Sequence, residues 1–254
     1  MKKQTFLTIL GMAIFAIGFI VAFAFNAKAV WTDLEGMSFW GYPEVTSYDH
    51  TIEGDVDISN FNCPILITPR DEGVANYSLR NRQAFVAKPI IQLHVSDPGE
   101  VEGIFRESFQ VSFLPKETQA FNTTISKANN LPDNRIFIRL FLRQGVGQPP
   151  YATKHCGVLF FDAGRFSGNQ LVIFIITLSS VLMFTGIFLH LLDKKRHNDS
   201  SNKILGFLIF LGVLSLSGFI LNLAGFLVIS SVFLILSVLL FVSIVESRLI
   251  RKWT

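Results

Sequence analysis

Three long uncharged apolar runs set the limits on what this chain can become. Residues 5–25, 170–192 and 204–245 contain no Asp, Glu, Lys or Arg, and they are 21, 23 and 42 residues long. One crossing of a bilayer's hydrocarbon core takes about 20 residues. The first two runs each predict one transmembrane helix. The third is twice the required length and predicts a hairpin of two, turning near Asn222 and Gly225. Half of the residues are hydrophobic and 26 are Phe, too apolar for an ordinary soluble domain.

Lys and Arg fix the expected orientation. Lys2 and Lys3 precede the first run, Lys194, Lys195, Arg196 and Lys203 follow the second, and Arg248, Arg251 and Lys252 follow the last. All of these cations fall on one side if both termini are cytoplasmic. The expectation is a multi-pass protein of the cell (plasma) membrane with residues 30–168 outside the cytoplasm and a basic cytoplasmic loop over 193–203. The lipid bilayer is then its first partner. Residues 26–169 hold 13 Lys/Arg against 16 Asp/Glu with no basic stripe, so nucleic acid is not an expected partner.

Ion and proton pathways place charges inside the membrane. Here the only readily titratable side chain of the runs is His190, at the end of its segment. That argues against a pump or coupled transporter. Gly206, Gly212, Ser215 and Gly218 offer small residues for close packing of the third helix.

Between the first two runs the pattern changes to period two. In residues 105–114, Phe105, Phe109, Val111 and Phe113 alternate with Arg106, Ser108, Gln110 and Ser112. In residues 135–143, Ile136, Ile138, Leu140 and Leu142 alternate with Phe137, Arg139, Phe141 and Arg143, and 89–95 shows the same pattern. Further candidate strands are 63–68, 74–81, 118–126 and 156–161. Turn residues such as Asp97-Pro98-Gly99 and Leu114-Pro115-Lys116-Glu117 separate them. About seven short strands predict an all-β, immunoglobulin-like sandwich. The expected division is 1–29 anchor or signal sequence, 30–56 aromatic juxtamembrane segment, 57–166 sandwich, and 167–254 three transmembrane helices. That makes four crossings, or three if the N-terminus is cleaved.

Cys63 and Cys156 are the only cysteines, and both lie in this region. On an oxidising side of the membrane they predict one disulfide. By strand position Cys63 opens the first strand and Cys156 the last, so the bond would tie the two ends of the sandwich together as a peripheral staple. Two buried free thiols are the alternative.

The runs Cys63-Pro64-Ile65-Leu66-Ile67-Thr68, Val74 to Asn81 and Phe113-Leu114-Pro115-Lys116-Glu117-Thr118 resemble bacterial immunoglobulin-like modules. Those often carry a Pro-Gly-Glu-Thr type turn before the fifth strand, where Lys116 here replaces the Gly. The order of helix, Cys-Pro strand, sandwich, Cys156-Gly157-Val158 and three helices also resembles a group of uncharacterised bacterial membrane proteins. The resemblance implies a fold and no activity.

Residues 30–56 carry Trp31, Phe39, Trp40, Tyr42 and Tyr48 with little periodicity. Trp and Tyr favour the membrane interface. The expectation is a linker lying on the bilayer or the sandwich edge; the functional alternative is an aromatic platform for a glycan, lipid headgroup or peptide.

Chemistry is thin. Glu53, Asp55 and Asp57, with Asp49 nearby, form an acidic set that matches no established Ca²⁺ loop. His155-Cys156 suggests copper, but no second His or Met follows within the region. There is no nucleophile elbow, phosphate loop or zinc helix. No catalytic residue, metal or cofactor is expected. The chain reads as a non-enzymatic accessory, assembly or structural subunit of a cell-envelope complex, with other membrane subunits as partners. The alternatives are a surface receptor or adhesion module, or a metal or redox subunit.

Ala27-Lys28-Ala29 fits the small-x-small spacing read by signal peptidase. The preceding run of 21 residues exceeds the 7–15 of a signal h-region. An uncleaved anchor is the expectation.

Overall fold

The alternation of the central region builds two sheets. The computed structural model describes residues 3–41, 54–100, 102–194 and 200–253. One sheet has three strands, β1 (Val56–Asn62), β3 (Gly73–Asn81) and β6 (Thr118–Ile125), in the order β1-β3-β6. The other has β2 (Leu66–Ile67), β4 (Ile90–Ser96), β5 (Ile104–Gln110), β7 (Arg135–Arg143) and β8 (Ala152–Phe160), in the order β2-β8-β7-β4-β5. All pairings are antiparallel except β2 with β8. The described residues also form four helices: α1 (Lys3–Phe39), α2 (Gly168–Lys194), α3 (Ser200–Leu223) and α4 (Leu227–Trp253). They fall into a helical unit, Met1–Val30 with Leu171–Thr254, and a sandwich unit, Trp31–Gln170.

In the sandwich unit β3 shows strict alternation. Ala75, Tyr77, Leu79 and Asn81 are buried, while Val74, Asn76 and Arg80 are exposed. The core joins these to Ile91, Leu93, Val95, Phe113, Ile136, Ile138, Leu140 and Leu142. Among the described residues there are eight strands rather than about seven. The added one, β1, has the sequence VDISNFN, whose single β-bulge between Ile58 and Asn60 breaks the period that would reveal it. β5 stops at Gln110, and most of it is exposed because it is a sheet edge. Phe113 reaches the core through an isolated bridge to Ala87. Lys116 takes a left-handed φ of 61°, the conformation that Gly adopts freely at this turn position.

Cys63 and Cys156 form the disulfide, with Cα atoms 6.4 Å apart. Its place corrects the expected one. Cys63 follows β1 instead of opening the first strand, and Cys156 lies in mid-β8, paired with Ile138 and packed into the core. The bond joins the β1–β2 connection to the interior of the larger sheet.

Where α2 begins is set by Asp71. Its carboxylate accepts from Thr68 N at 2.8 Å and Gly168 N at 2.7 Å, and lies 2.5 Å from the Thr68 hydroxyl. Burial alone would raise its pKa, but these hydrogen bonds outweigh it and the pKa falls below the usual carboxylate value. A carboxylate held ionised beside the first helical N–H groups also suits the helix dipole.

In the helical unit, α1 and α2 pack backbone to backbone. A Cβ on Gly11 would lie 2.9 Å from the Gly186 carbonyl, and one on Gly18 would lie 2.8 Å from the Ser179 carbonyl. The close approach therefore runs through Gly11, Gly18 and Gly186. Gly206, expected to pack, meets nothing within 4 Å. Gly218 lies against Phe233 and Asn26. Asn222 is not a turn residue but the last turn of α3. Its amide donates to Asn26 Oδ1 at 2.7 Å, while Gly225, at φ 80°, makes the turn. Ser230 Oγ donates to the Gly218 carbonyl at 2.8 Å, so the hairpin is tied by polar groups buried among apolar helices.

Among the described residues three helices are long and apolar enough to cross a membrane, in the segments Phe6–Phe39, Gly168–Leu192 and Leu205–Leu223. The apolar stretch of α4 among the described residues, Val228–Ser243, is shorter.

Candidate functional site

The predicted break at residue 29 lies inside α1, which continues to Phe39. Residues 31–40 form the first layer over the outer face of the larger sheet. Thr32, Asp33, Gly36 and Trp40 are buried, whereas Trp31, Leu34 and Met37 are exposed. That is a helical period of burial, but three of the four buried positions are polar or small. Hydrophobicity therefore gives no signal, which is why the segment reads as aperiodic.

The helix seats on β8. Gly157 N donates to Asp33 Oδ1 at 2.9 Å, and a Cβ at Gly157 would collide with the backbone of Thr32 and Asp33. Asp33 Oδ2 lies 3.8 Å from His155 Nε2. Glu35 forms an ion pair with Arg135 at the start of β7. Phe39 packs on Phe137 with centroids 4.9 Å apart and meets Trp40 edge to face. This cover explains β7, which is buried on both faces although its outward residues include Arg139.

Beneath the helix lies a layer of aromatic and cationic side chains. His94 sits between Trp40 and Phe141, with centroids at 5.9 and 4.5 Å. The Arg139 guanidinium stands 5.5 Å above the Phe141 ring and donates to Thr153 Oγ1 at 3.2 Å. Burial first, then the charges of Arg106, Arg143 and Arg139, push the pKa of His94 down to about 4. The ring is thus neutral at physiological pH and packs as an aromatic. The His155–Asp33 pair lies under the helix, with the two side chains 10% and 12% exposed.

The predicted aromatic platform therefore divides. Trp40 is used in packing and only 7% exposed, while Phe39 packs on Phe137 yet stays 39% exposed. Trp31 remains 58% exposed. Tyr42 and Tyr48 lie outside the described residues, as do Asp49 and Glu53 of the acidic set. Asp57 pairs with Arg82. Among the described residues no three His, Cys, Asp or Glu side chains gather as metal ligands. Cys156 is bonded to Cys63, so His155-Cys156 presents no thiolate for copper.

A cleft of about 300 Å³ opens where the free edges of the two sheets meet. Tyr77, Glu107, Phe109, Phe121, Asn122 and Thr123 line it. Tyr77 and Phe121 stack at 5.5 Å, and Phe109 lies 6.0 Å from Phe121. Burial raises the Tyr77 pKa, while the Thr123 hydrogen bond lowers it and Glu107 adds to the rise. Sequence reasoning missed the cleft because β5 and β6, though consecutive in the chain, belong to different sheets, and their side-chain period does not reveal which sheet each joins. Its rings close the sandwich edge, and Glu107 is an inward-facing charge on an edge strand, a feature that discourages further strand pairing.

No family model matches the chain, and neither does any curated protein. Among solved structures, the CARDB domain of a Pyrococcus furiosus protein, in complex with di-metal ions, is 9% identical. It aligns over 42% of this chain and 92% of its own, with a TM-score of 0.33. The alkylpurine DNA glycosylase AlkC of Pseudomonas fluorescens is 9% identical over 43% of this chain and 31% of its own, with a TM-score of 0.32. A β-glucosidase of Listeria innocua is 12% identical over 47% of this chain and 17% of its own, with a TM-score of 0.30.

Proposed function

We propose that this is a non-enzymatic integral membrane protein of the cell envelope, an accessory or assembly subunit that presents an immunoglobulin-like sandwich to other membrane subunits. The observation that carries the reading is the seating of residues 31–40. Asp33, Glu35, Phe39 and Trp40 of the segment fix the end of α1 to the larger sheet, and Trp40 is buried there. Asp71 fixes the start of α2 to the same unit. The sandwich unit thus includes the last turns of α1 and the first residues of α2, as suits a compact module for protein contact.

Four crossings with both termini cytoplasmic place the sandwich outside, where its disulfide is stable. α4 spans Leu227–Trp253, about 40 Å of helix, and its described apolar stretch is completed by the preceding turn and the apolar residues before Glu246. The seating of residues 31–40 also supports an uncleaved anchor, since Ala27-Lys28-Ala29 is helical and Ala29 is buried. A reporter fused at Ser200 is expected to read as cytoplasmic and one within 120–130 as external; the reverse pattern overturns the topology. Gentle detergent extraction from native membranes tests the role. Co-purifying membrane proteins support an accessory subunit, and a monomer that binds glycan or peptide supports a receptor instead.

A further inference from the structure

The apolar alternation of β5 fails at one position. Phe105, Glu107 and Phe109 stand opposite Val95, Leu93 and Ile91 of β4, all three buried in the core. Residues directly opposite in an antiparallel pair share a face, so Glu107 points inward between two Phe, where the period calls for an apolar side chain. On the facing sheet β6 turns Phe121 and Thr123 inward, opposite Tyr77 and Ala75 of β3. β5 and β6 are both edge strands, so Glu107 enters the gap between the sheets at their free edges. That gap is the cleft of about 300 Å³.

The lining of the cleft has one sign of charge. It contains Glu107 and no Lys, Arg or His. The neighbouring Arg106 is paired with Glu102, and among the described residues the Glu107 carboxylate has no hydrogen bond or ion pair. Beside it stand neutral oxygens, the Asn122 amide and the Thr123 hydroxyl, the latter hydrogen-bonded to Tyr77. Phe121 is engaged by Tyr77, Phe109 and Phe113, with centroids at 5.5, 6.0 and 6.3 Å. The rings therefore offer apolar walls and no free platform on which a sugar could stack. Protection of the sheet edge needs only a charge on the strand, which Arg106 also supplies. It does not call for a cleft that sets a carboxylate beside further acceptors.

We propose that this cleft binds the protonated amine of a small primary alkylamine, with the ammonium on the Glu107 carboxylate and the alkyl chain along Phe109 and Phe121. An ammonium carries several N–H donors and no acceptor, which matches a carboxylate flanked by the Thr123 and Asn122 oxygens. Its bond to a carboxylate is charge-assisted, so a neutral alcohol of the same length forfeits most of the attraction and an anion is repelled. The surrounding region favours a cation as well, holding 13 Lys/Arg against 16 Asp/Glu over residues 26–169. The inference goes beyond the accessory-subunit reading and does not depend on it.

The test uses the full-length protein in phosphatidylcholine nanodiscs, titrated at neutral pH with methylamine, propylamine and butylamine and followed by ligand-observed saturation-transfer NMR. Butylamine is expected to bind saturably. Affinity should rise about two- to fourfold per methylene as the chain covers the rings, and fall as salt screens the carboxylate. Butanol and butyrate should not bind, and tetramethylammonium, a cation without N–H donors, should bind more weakly than butylamine. Glu107→Gln is expected to weaken butylamine binding about tenfold or more. Its side chain is exposed, so the fold should survive, and an unchanged melting curve verifies this. If that variant does not fold, the comparison of butylamine with butanol on the wild type decides. No saturable binding of butylamine, equal binding by a folded Glu107→Gln protein, or equal binding of butanol or tetramethylammonium overturns the proposal. Each of these leaves the accessory reading standing, because co-purification tests that separately.

Discussion

Gly157→Ala should lift the end of α1 from the sheet. The Cβ it introduces falls on backbone atoms of Thr32 and Asp33, not on a flexible side chain that could turn away. Relief requires the helix to move. A full lift would lose the hydrogen bond to the Asp33 carboxylate, about 1.5–3 kcal/mol for a charged partner. It would also uncover Trp40, where roughly 200 Å² of buried surface contributes about 5 kcal/mol. A partial lift relieves an alanine, so the expected cost is about 2–4 kcal/mol, with Gly157→Val at the upper end. The chain has three Trp, so changing Trp31 and Trp253 to Phe leaves Trp40 as the reporter. In the parent, Trp40 emission should be blue-shifted and poorly quenched by acrylamide; in Gly157→Val it should shift red and quench readily. Gly36→Ala is the control. Its Cβ meets ring atoms of Phe137 and His155 at 3.3 and 3.4 Å, and about 1 kcal/mol of helix propensity offsets the crowding. It should stay within about 1 kcal/mol of the parent. If Trp40 remains shielded in Gly157→Val, residues 31–40 are not seated as described and the reasoning fails.

Acid should weaken the same seat. The folded-state pKa of His94 is depressed from 6.5 to about 4, so between these values the unfolded chain binds the additional proton. The stability that His94 contributes is therefore fully present above pH 6.5 and is lost as pH falls towards 4, on the order of 1–2 kcal/mol after discounting for partial solvent access. His94→Phe should flatten the pH dependence of melting in that window. Alkylation of native protein without reductant should label neither Cys63 nor Cys156. Reduction should destabilise the sandwich by up to about 4–5 kcal/mol, the chain-entropy limit for the 93-residue separation, measured by denaturant unfolding before and after reductant. In the helical unit Gly186→Leu should cost about 1–3 kcal/mol, because a Cβ there presses on Gly11 and Phe15, and Gly206→Leu should cost almost nothing. Resistance to unfolding in SDS ranks the two, and equal losses would refute the Gly11–Gly186 contact.

Much of the architecture was legible because its signals are apolar and local. Runs without charge announce helices whatever they pack against, and the alternation of Tyr77 with its neighbours or of Ile138 with Arg139 announces strands from side-chain period alone. β1 escaped because its bulge shifts the period midway and its outward residues are Ser and Asn. The outward face of β7 read as solvent-facing because Arg139 and Arg143 lie on it, and nothing local reveals that a helix more than 90 residues earlier covers it. Residues 31–40 were illegible for the complementary reason. Apart from Trp40, their buried face is Thr32, Asp33 and Gly36, residues that ordinarily face water or break helices, and only the partner surface of Gly157 and His155 makes them an interface.

By itself the amino-acid sequence determined the long apolar helices, the two-sheet class and the availability of Cys63 and Cys156 for pairing, because hydrophobic length, period and cysteine count do not depend on what lies across the fold. The tertiary structure alone decided where α1 ends its work, which strand holds Cys156, and which edge strands meet at the cleft. Those depend on distant residues meeting: a carboxylate on a strand N–H, two sheet edges closing on one cleft, a glycine leaving room for another backbone. Such matches are set by geometry between segments far apart in the chain, and no single segment encodes them.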